Sequence, residues 1–215
     1  MLKRICTGGL AALLVLSAAP LSAQATFSDA QNHWAREVVE QAEEYGLIQG
    51  YPDGAFGVED EMTRSQFVTV LCRMFGWDML TPDSPSYIDC SPSAWYYSAV
   101  EPARAHDVMD PSGPFRPEDY ISRGEMAVML VRALGYGQLA QDLADLPLPF
   151  DDVKEDGGYM AIAYDIGMVN GVAGPDGSLK FLPTHSATRA EAAAMLVRVY
   201  ERYQSKTQWL HGFYA

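Results

Sequence analysis

The chain has 215 residues, of which 48% are hydrophobic and 20% are charged, an ordinary composition for a globular protein with a core. It carries 15 basic and 28 acidic residues, a formal net charge of −13. Because nucleic acids and anionic membranes are bound mainly through basic surface, this balance argues against both as partners. An anionic ligand would have to be held by a local basic pocket.

The first 25 residues have the pattern of a secretory signal peptide. Lys3 and Arg4 give a basic start, residues 8–19 form an apolar run, and an A-x-A cleavage pattern ends at Ala25. Cleavage would remove two basic residues and no acidic one, leaving 13 basic and 28 acidic residues, a net charge of −15. No later stretch approaches the roughly 20 apolar residues that span a bilayer. We therefore expect a secreted protein with no membrane span in the mature chain.

Three short runs predict helix starts. Each has the pattern Ser/Thr-x-x-Glu/Gln ahead of an apolar stretch, which is the capping box. The runs are Thr63-Arg64-Ser65-Gln66, Ser122-Arg123-Gly124-Glu125 and Thr188-Arg189-Ala190-Glu191. An arginine at the first helical position lies at the positive end of the helix dipole, where a cation is unfavourable. Two interpretations remain open: arginine and free helix N–H groups together bind a carboxylate or phosphate, or the arginine pairs with an aspartate of its own chain.

Aligned on these boxes, the chain shows a repeat of about 60 residues. The box arginines are 59 and then 66 residues apart. Each unit opens with an aromatic residue followed within two residues by aspartate, continues with a predicted helix (34–45, 95–106 and 159–166), and then has a Gly/Pro-rich turn with an aromatic residue. Left-handed helix ends are predicted at Gly46, Asp107 and Gly167. Residues 78–86 and 137–149 are predicted connectors.

The capped helices have predictable faces. Their core sides are Phe67/Val70/Leu71/Met74, Met126/Met129/Leu130/Ala133 and Ala192/Met195/Leu196/Val199. A second set of arginines, nine residues after the box arginines, falls on the opposite face because nine residues at 100° each end half a turn away. These are Arg73, Arg132 and Arg198, for which we expect a structural role near the helix C-terminus.

Other chemistry is not predicted. Cys72 and Cys90 remain after the predicted cleavage, and either a disulfide or two free thiols fits the sequence. The four histidines have no mutual metal spacing, and the Asp-Gly turns lack the ligand series of an EF-hand. No nucleophile has a recognisable partner. We therefore predict no metal site, no cofactor and no catalytic site.

The combined pattern resembles the S-layer homology (SLH) repeat. The features that carry the resemblance are Phe-x-Asp, His33-Trp34-Ala35, a glycine after the first helix, Gly50-Tyr51-Pro52-Asp53-Gly54-x-Phe56, and Thr-Arg-x-Glu. We assign repeats to residues 26–77, 86–136 and 149–203, between the signal peptide at 1–25 and a C-terminal tail at 204–215. The resemblance implies a mainly α fold in which three tandem helix-loop-helix repeats form a pseudo-threefold, three-pronged arrangement around a central helical bundle.

The resemblance also implies a function. SLH modules are non-catalytic and anchor bacterial surface proteins to anionic secondary cell-wall polysaccharides, often through a pyruvylated amino sugar held in grooves between repeats. By analogy, the box arginines grip the ligand carboxylate and other residues lie near the same grooves. The candidate ligand-binding residues are Arg64, Arg123, Arg189, Asp29, Asp89, Asp152, Trp34, Trp95, Gln66, Glu125 and Glu191. Alternatives stay open for two types: the tryptophans can belong to the core, and the aspartates can cap the first helix or orient an arginine.

The units depart from the pattern in three ways. The third has Glu155 where the others have tryptophan, and the first box ends in Gln66, which keeps the cap and removes a charge. The second turn lacks the tyrosine and the aspartate. We expect the groove of the first repeat to be the most intact. The alternative function is an envelope assembly protein that contacts another polypeptide, and a non-covalent surface-protein partner fits either case.

Overall fold

The computed structural model describes the backbone of residues 27–213 and the side chains of residues 27–203, so the predicted signal peptide lies outside the described residues. Within that range the fold is mainly α, as predicted, with one small antiparallel sheet that pairs Val172 with Lys180. The elements in chain order are α1 Arg36–Glu44, α2 Arg64–Phe75, α3 Tyr97–Ala105, α4 Arg123–Ala133, α5 Gly137–Asp142, α6 Gly157–Asp165, β1 Val172–Ala173, β2 Leu179–Lys180 and α7 Arg189–Phe213. None of the helices in this range is long and apolar enough to cross a membrane.

The local helix signals are confirmed. In the box of α2, the Thr63 hydroxyl accepts the N–H of Gln66 at 3.3 Å, and the Gln66 side-chain oxygen accepts the N–H of Thr63 at 3.0 Å. The boxes of α4 and α7 make the same reciprocal bonds. Left-handed residues follow α1, α3 and α6, with φ of 68° at Gly46, 55° at Asp107 and 71° at Gly167. Short-range patterns therefore determine where these helices begin and end.

Three backbone hydrogen bonds close the units into a ring. The N–H of Met62 donates to the carbonyl of Ala187 at 3.1 Å, and that of Ala187 donates to Ile121 at 2.8 Å. The N–H of Ile121 completes the ring by donating to Met62 at 2.8 Å. Because the third unit bonds back to the first, the arrangement is pseudo-threefold.

Each prong takes its two helices from adjacent units. Helix α2 packs against α3, α4 against α6, and α7 against α1. The predicted core faces of α2, α4 and α7 are buried, except that Ala133 is only partly buried. A repeat defined by sequence is therefore not a packing unit, since its two main helices belong to different prongs.

Some predictions differ from the structure. Helices α1 and α3 begin two residues later than expected, so Trp34 and Trp95 precede them and are 65% and 62% exposed. The interpretation of these tryptophans as core residues is therefore wrong. The predicted connector 137–149 contains helix α5, and α7 continues to Phe213, past the boundary predicted at residue 203.

The structure also decides the state of the two cysteines. Cys72 and Cys90 are both buried free thiols. Burial raises the pKa of each thiol to about 12. Both cysteines therefore remain neutral at physiological pH and act as small apolar core residues.

Candidate functional site

Each box arginine reaches from its own unit onto the aromatic turn of the next, and this contact defines three grooves. We name them by the units that they join. The 1–2 groove pairs Arg64 with Phe115, the 2–3 groove pairs Arg123 with Phe181, and the 3–1 groove pairs Arg189 with Phe56. In each groove the arginine Nε donates to the carbonyl of the phenylalanine, at 2.7, 3.0 and 2.9 Å respectively. The guanidinium carbon lies 5.0–5.5 Å from the ring centre of that phenylalanine. The loop aromatics, rather than the two tryptophans, are thus the cation–π partners.

The aspartates of the Phe-x-Asp runs hold these aromatic turns in place. The carboxylate of Asp29 accepts the N–H groups of Phe56, Gly57 and Val58 at 2.7–2.9 Å. In the other units, Asp89 accepts from Phe115 and Arg116, and Asp152 accepts from Phe181 and Leu182. The first helices have no side-chain cap, so the expectation that the aspartates cap them is wrong. Their contact with the arginines is indirect, through the turn whose carbonyl accepts Nε.

Two of these aspartates show the electrostatic effect of the turn. Burial by itself raises the pKa of Asp29 and Asp152. The backbone N–H bonds stabilise the charged form more strongly, and the net effect lowers both pKa values below the ordinary range. The two carboxylates are therefore ionised at neutral pH, and their acceptor oxygens are committed to the turn.

The helix N-termini do not offer free amides to a ligand. In α2 the N–H of Arg64 donates to Asp119 and that of Ser65 donates to Pro117, both carbonyls of the next unit. The equivalent bonds in α4 and α7 run from Arg123 to His185, Gly124 to Pro183, Arg189 to Asp60 and Ala190 to Val58. The box hydroxyl satisfies the third N–H. The predicted contribution of helix amides to anion binding is therefore wrong, and the arginine side chains remain as donors.

Two of the three arginines have a carboxylate partner. Arg64 Nη1 lies 2.6 Å from Glu125 Oε1, and Arg123 Nη1 lies 2.8 Å from Glu191 Oε1. The second oxygen of each glutamate caps its own helix. The intramolecular salt bridge considered from the sequence therefore forms, but with the box glutamate of the next unit rather than with a repeat aspartate.

Among the described residues, the third arginine, Arg189, has no carboxylate partner. In the 3–1 groove, Gln66 occupies the position of Glu125 and Glu191, its oxygen is used by the cap, and its NH₂ group can only donate. Arg189 instead donates from Nη2 to the carbonyl of Gln49 at 2.9 Å and lies 4.6 Å from the ring centre of Tyr51. Among the side chains of residues 27–203, no carboxylate forms an ion pair with Arg189.

The guanidinium groups are buried but not sealed. Arg64, Arg123 and Arg189 are 7%, 9% and 7% exposed. Within residues 27–203, every fully buried side-chain nitrogen or oxygen has a hydrogen-bond partner. Each arginine has one nitrogen without a hydrogen-bond partner among these residues, so that nitrogen reaches solvent. The three nitrogens are Nη2 of Arg64, Nη2 of Arg123 and Nη1 of Arg189. Each groove therefore presents one arginine nitrogen to a solute, and only in the 3–1 groove is that arginine without a counter-charge.

Residues 26–68 and 87–127 match the sequence model of the S-layer homology domain. The chain contains S-layer homology domains. The matched ranges cover the first two units, and the third unit lies outside them while sharing the box, aspartate and arginine contacts described above. SLH domains are non-catalytic anchoring modules. Within residues 27–203, no group of three or more His, Cys, Asp or Glu residues could hold a metal ion.

Curated relatives include cell-wall and S-layer proteins and an enzyme. The middle cell wall protein of Brevibacillus brevis is 29% identical over 145 residues, 63% of this chain and 14% of that protein. The S-layer protein of Bacillus licheniformis is 27% identical over 208 residues, 94% of this chain and 23% of that protein. An amylopullulanase of Thermoanaerobacterium thermosulfurigenes is 29% identical over 184 residues, 82% of this chain and 10% of that enzyme. The chain thus spans less than a quarter of each of these relatives, two of which are named as cell-wall or S-layer proteins.

Proposed function

We propose that this SLH protein is exported and binds an anionic secondary cell-wall polysaccharide in the grooves between its units, anchoring at the bacterial surface. The observation that carries the proposal is the unpaired Arg189 in the 3–1 groove. Arg189 is 7% exposed, and its guanidinium lies against two aromatic rings and has no carboxylate partner among the described residues. A buried cation without a counter-charge is costly, and a ligand carboxylate would supply the missing partner.

The geometry around Arg189 favours a carboxylate. Nε is fixed by the carbonyl of Phe56, and Asp29 fixes the turn that holds this carbonyl. The guanidinium is therefore preorganised, so that little conformational entropy is lost on binding. The free Nη1 of Arg189 and the NH₂ group of Gln66 are both donors, and charge-assisted bonds to a carboxylate are about twice as strong as neutral ones.

Aromatic side chains beside the same groove suit a sugar ring. Tyr51 is 40% exposed, and its O–H donates to Asp60 at 3.0 Å. Exposed Trp34 follows His33, whose Nε2 lies 2.9 Å from Glu59 in the loop that leads to Asp60. Tyr51 lies against Arg189 at the 3–1 groove, and we expect the exposed Trp34 to extend the rim, so that a pyranose face can pack on these rings.

The other two grooves are electrostatically weaker candidates for a single carboxylate. Glu125 and Glu191 neutralise Arg64 and Arg123, so a ligand must compete with an ion pair already formed. The sequence predicts that the groove of the first repeat is the most intact, and the turn of that repeat lies in the 3–1 groove.

A cell-wall retention assay tests the proposal. We expect the protein to be retained on purified native walls and lost from walls whose secondary polymer has been chemically stripped, because the ligand is the polymer. Arg189→Gln should reduce retention at least about fivefold, as expected when one charge-assisted pair is lost. Arg73→Gln is the matched control, since it removes an exposed arginine from α2 outside the guanidinium sites. Equal retention on native and stripped walls would contradict the proposal.

A further inference from the structure

Two cavities meet at Arg132. The first, about 240 Å³, lies in the 1–2 groove between Arg64, Arg116 and Glu125. The second, about 460 Å³, lies between the end of α3 and helices α5 and α6. Arg132 and Met109 line both cavities, so the two spaces are neighbours that meet at the Arg132 side chain. Together they fall within the range of about 300–1,000 Å³ that small-molecule sites occupy.

The first cavity has a surplus of positive charge. Arg64 and Arg116 both donate to the same oxygen, Oε1 of Glu125. Asp110 also lines the cavity, but its carboxylate accepts the N–H and O–H of Ser112 in its own turn, at 2.8 and 2.6 Å. Three guanidinium groups, counting Arg132, therefore line one cavity together with two committed carboxylates, while Asp119 lies outside the lining at 3.5 Å from Arg116 Nη1. On a chain with 28 acidic and 15 basic residues, this is a local reversal of sign.

The backbone does not require one of these arginines. Arg116 has φ of 57°, in the left-handed region, at the position where the first unit has Gly57 with φ of 76°. A side chain there costs about 1 kcal/mol relative to glycine. Leu182 has the same conformation in the third unit, with φ of 61°, so the turn imposes it whatever the residue. The cationic side chain of Arg116 thus contributes to the cavity, and the fold of the turn does not depend on it.

The second cavity is polar, and Asp107 and Arg132 give it one charge of each sign. Helix α5 lies in the connector between the second and third units, where the box arginines are 66 rather than 59 residues apart. It supplies Gln138 and Gln141 to the cavity wall. Tyr159 of α6 accepts the Nε–H of Arg132 at 3.1 Å and stacks 5.3 Å beneath its guanidinium. Amide and phenol groups of this kind bind hydroxyl-rich neutral sugars, since each can donate and accept.

We propose that the two cavities form one extended site for two consecutive units of an acidic polysaccharide. The acidic sugar binds in the first cavity at Arg64 and Arg116, and the neighbouring neutral sugar binds in the second cavity at Gln138 and Gln141. Arg132 lies between them and contacts both sugars. This inference rests on the proposed function, and it adds a length requirement: the site recognises a disaccharide better than a single sugar.

Side-chain amide signals in nuclear magnetic resonance test the proposal directly. The probes are a synthetic pyruvylated amino sugar and its disaccharide with an unmodified amino sugar, each titrated into the ¹⁵N-labelled protein. The backbone amide of Arg116 should shift with both probes, whereas the side-chain amides of Gln138 and Gln141 should shift only with the disaccharide. Gln41 lies on α1 outside both cavities and is the internal control.

A double variant supplies the affinity measurement. Gln138→Ala/Gln141→Ala should weaken binding of the disaccharide at this site about fivefold to tenfold, as expected for two neutral hydrogen bonds, and leave binding of the monosaccharide unchanged. The extended site is overturned if Arg116 responds to the disaccharide and the two glutamines do not, or if the double variant keeps the full disaccharide affinity. If no signal responds to either probe and native walls do not retain the protein, the proposed function itself fails.

Discussion

Replacing Gln66 by glutamate is expected to raise the free energy of unfolding by about 1–2 kcal/mol and to remove one anion site. The new carboxylate would keep the cap on Thr63 and would pair with Arg189, as Glu125 pairs with Arg64 at 2.6 Å. Arg189 is already buried, so its desolvation cost is present before the substitution, and the pair adds mainly attraction. Urea unfolding measures the first effect. Calorimetric titration with the pyruvylated disaccharide measures the second, as a decrease in the number of sites per chain.

The reciprocal variant is the matched control. Glu191→Gln keeps the cap on α7 but removes the partner of Arg123. We expect a loss of about 1–3 kcal/mol in the free energy of unfolding, because a buried cation loses its counter-charge. The number of anion sites should rise. The account predicts that the two variants change stability in opposite directions and site number in opposite directions. If neither quantity behaved in this way, the missing counter-charge of Arg189 would have no effect on stability or on anion binding.

Gly158→Ala is expected to cost about 2–3 kcal/mol of stability and to abolish the preference for a disaccharide. A Cβ atom at Gly158 would lie 1.8 Å from the carbonyl oxygen of Ala140 and 2.8 Å from its carbon, so α5 would have to move away from α6. Backbone atoms cannot yield as a flexible side chain can. Thermal unfolding and the disaccharide titration measure the two effects.

A glycine in open space provides the comparison. Gly113→Ala would place its Cβ more than 4 Å from any neighbouring heavy atom, and the φ of Gly113 is not positive. We expect a change in stability within about 0.5 kcal/mol for this variant. Similar losses for Gly158→Ala and Gly113→Ala would show that the close approach of α5 and α6 does not position the second cavity.

Features that depend on neighbouring residues could be predicted from the sequence. A capping box joins residues only three apart, and the starts of α2, α4 and α7 lie at the predicted positions. The left-handed residue after the first helix of each unit is equally local, even at Asp107. The three copies of these signals also indicated the repeat and hence the pseudo-threefold fold.

The partners of the box arginines could not be predicted in this way. Arg64 and Glu125 are 61 residues apart, and Arg189 and the carbonyl of Phe56 are 133 residues apart. The sequence shows that Gln66 replaces the glutamate of the other two boxes. Its consequence is that Arg189, in another unit, lacks a counter-charge. That consequence follows only once the third unit is known to close onto the first.

Two further features escaped prediction for physical reasons. Helix α5 has six residues, too few for a hydrophobic period to be distinguished from a connector. Trp34 fits the apolar face of α1 by spacing, yet the helix begins only at Arg36, so the periodic rule does not apply to it.

The central claim is that an arginine without a counter-charge binds the carboxylate of a wall sugar, and calorimetric comparison of two ligands tests it most directly. The first ligand is the pyruvylated disaccharide, and the second is its methyl ester, which has the same shape and no charge. We predict that the free acid binds at least about tenfold more tightly than the ester, equivalent to one charge-assisted hydrogen bond of about 1.4 kcal/mol. Equal affinity of the two ligands would contradict the account.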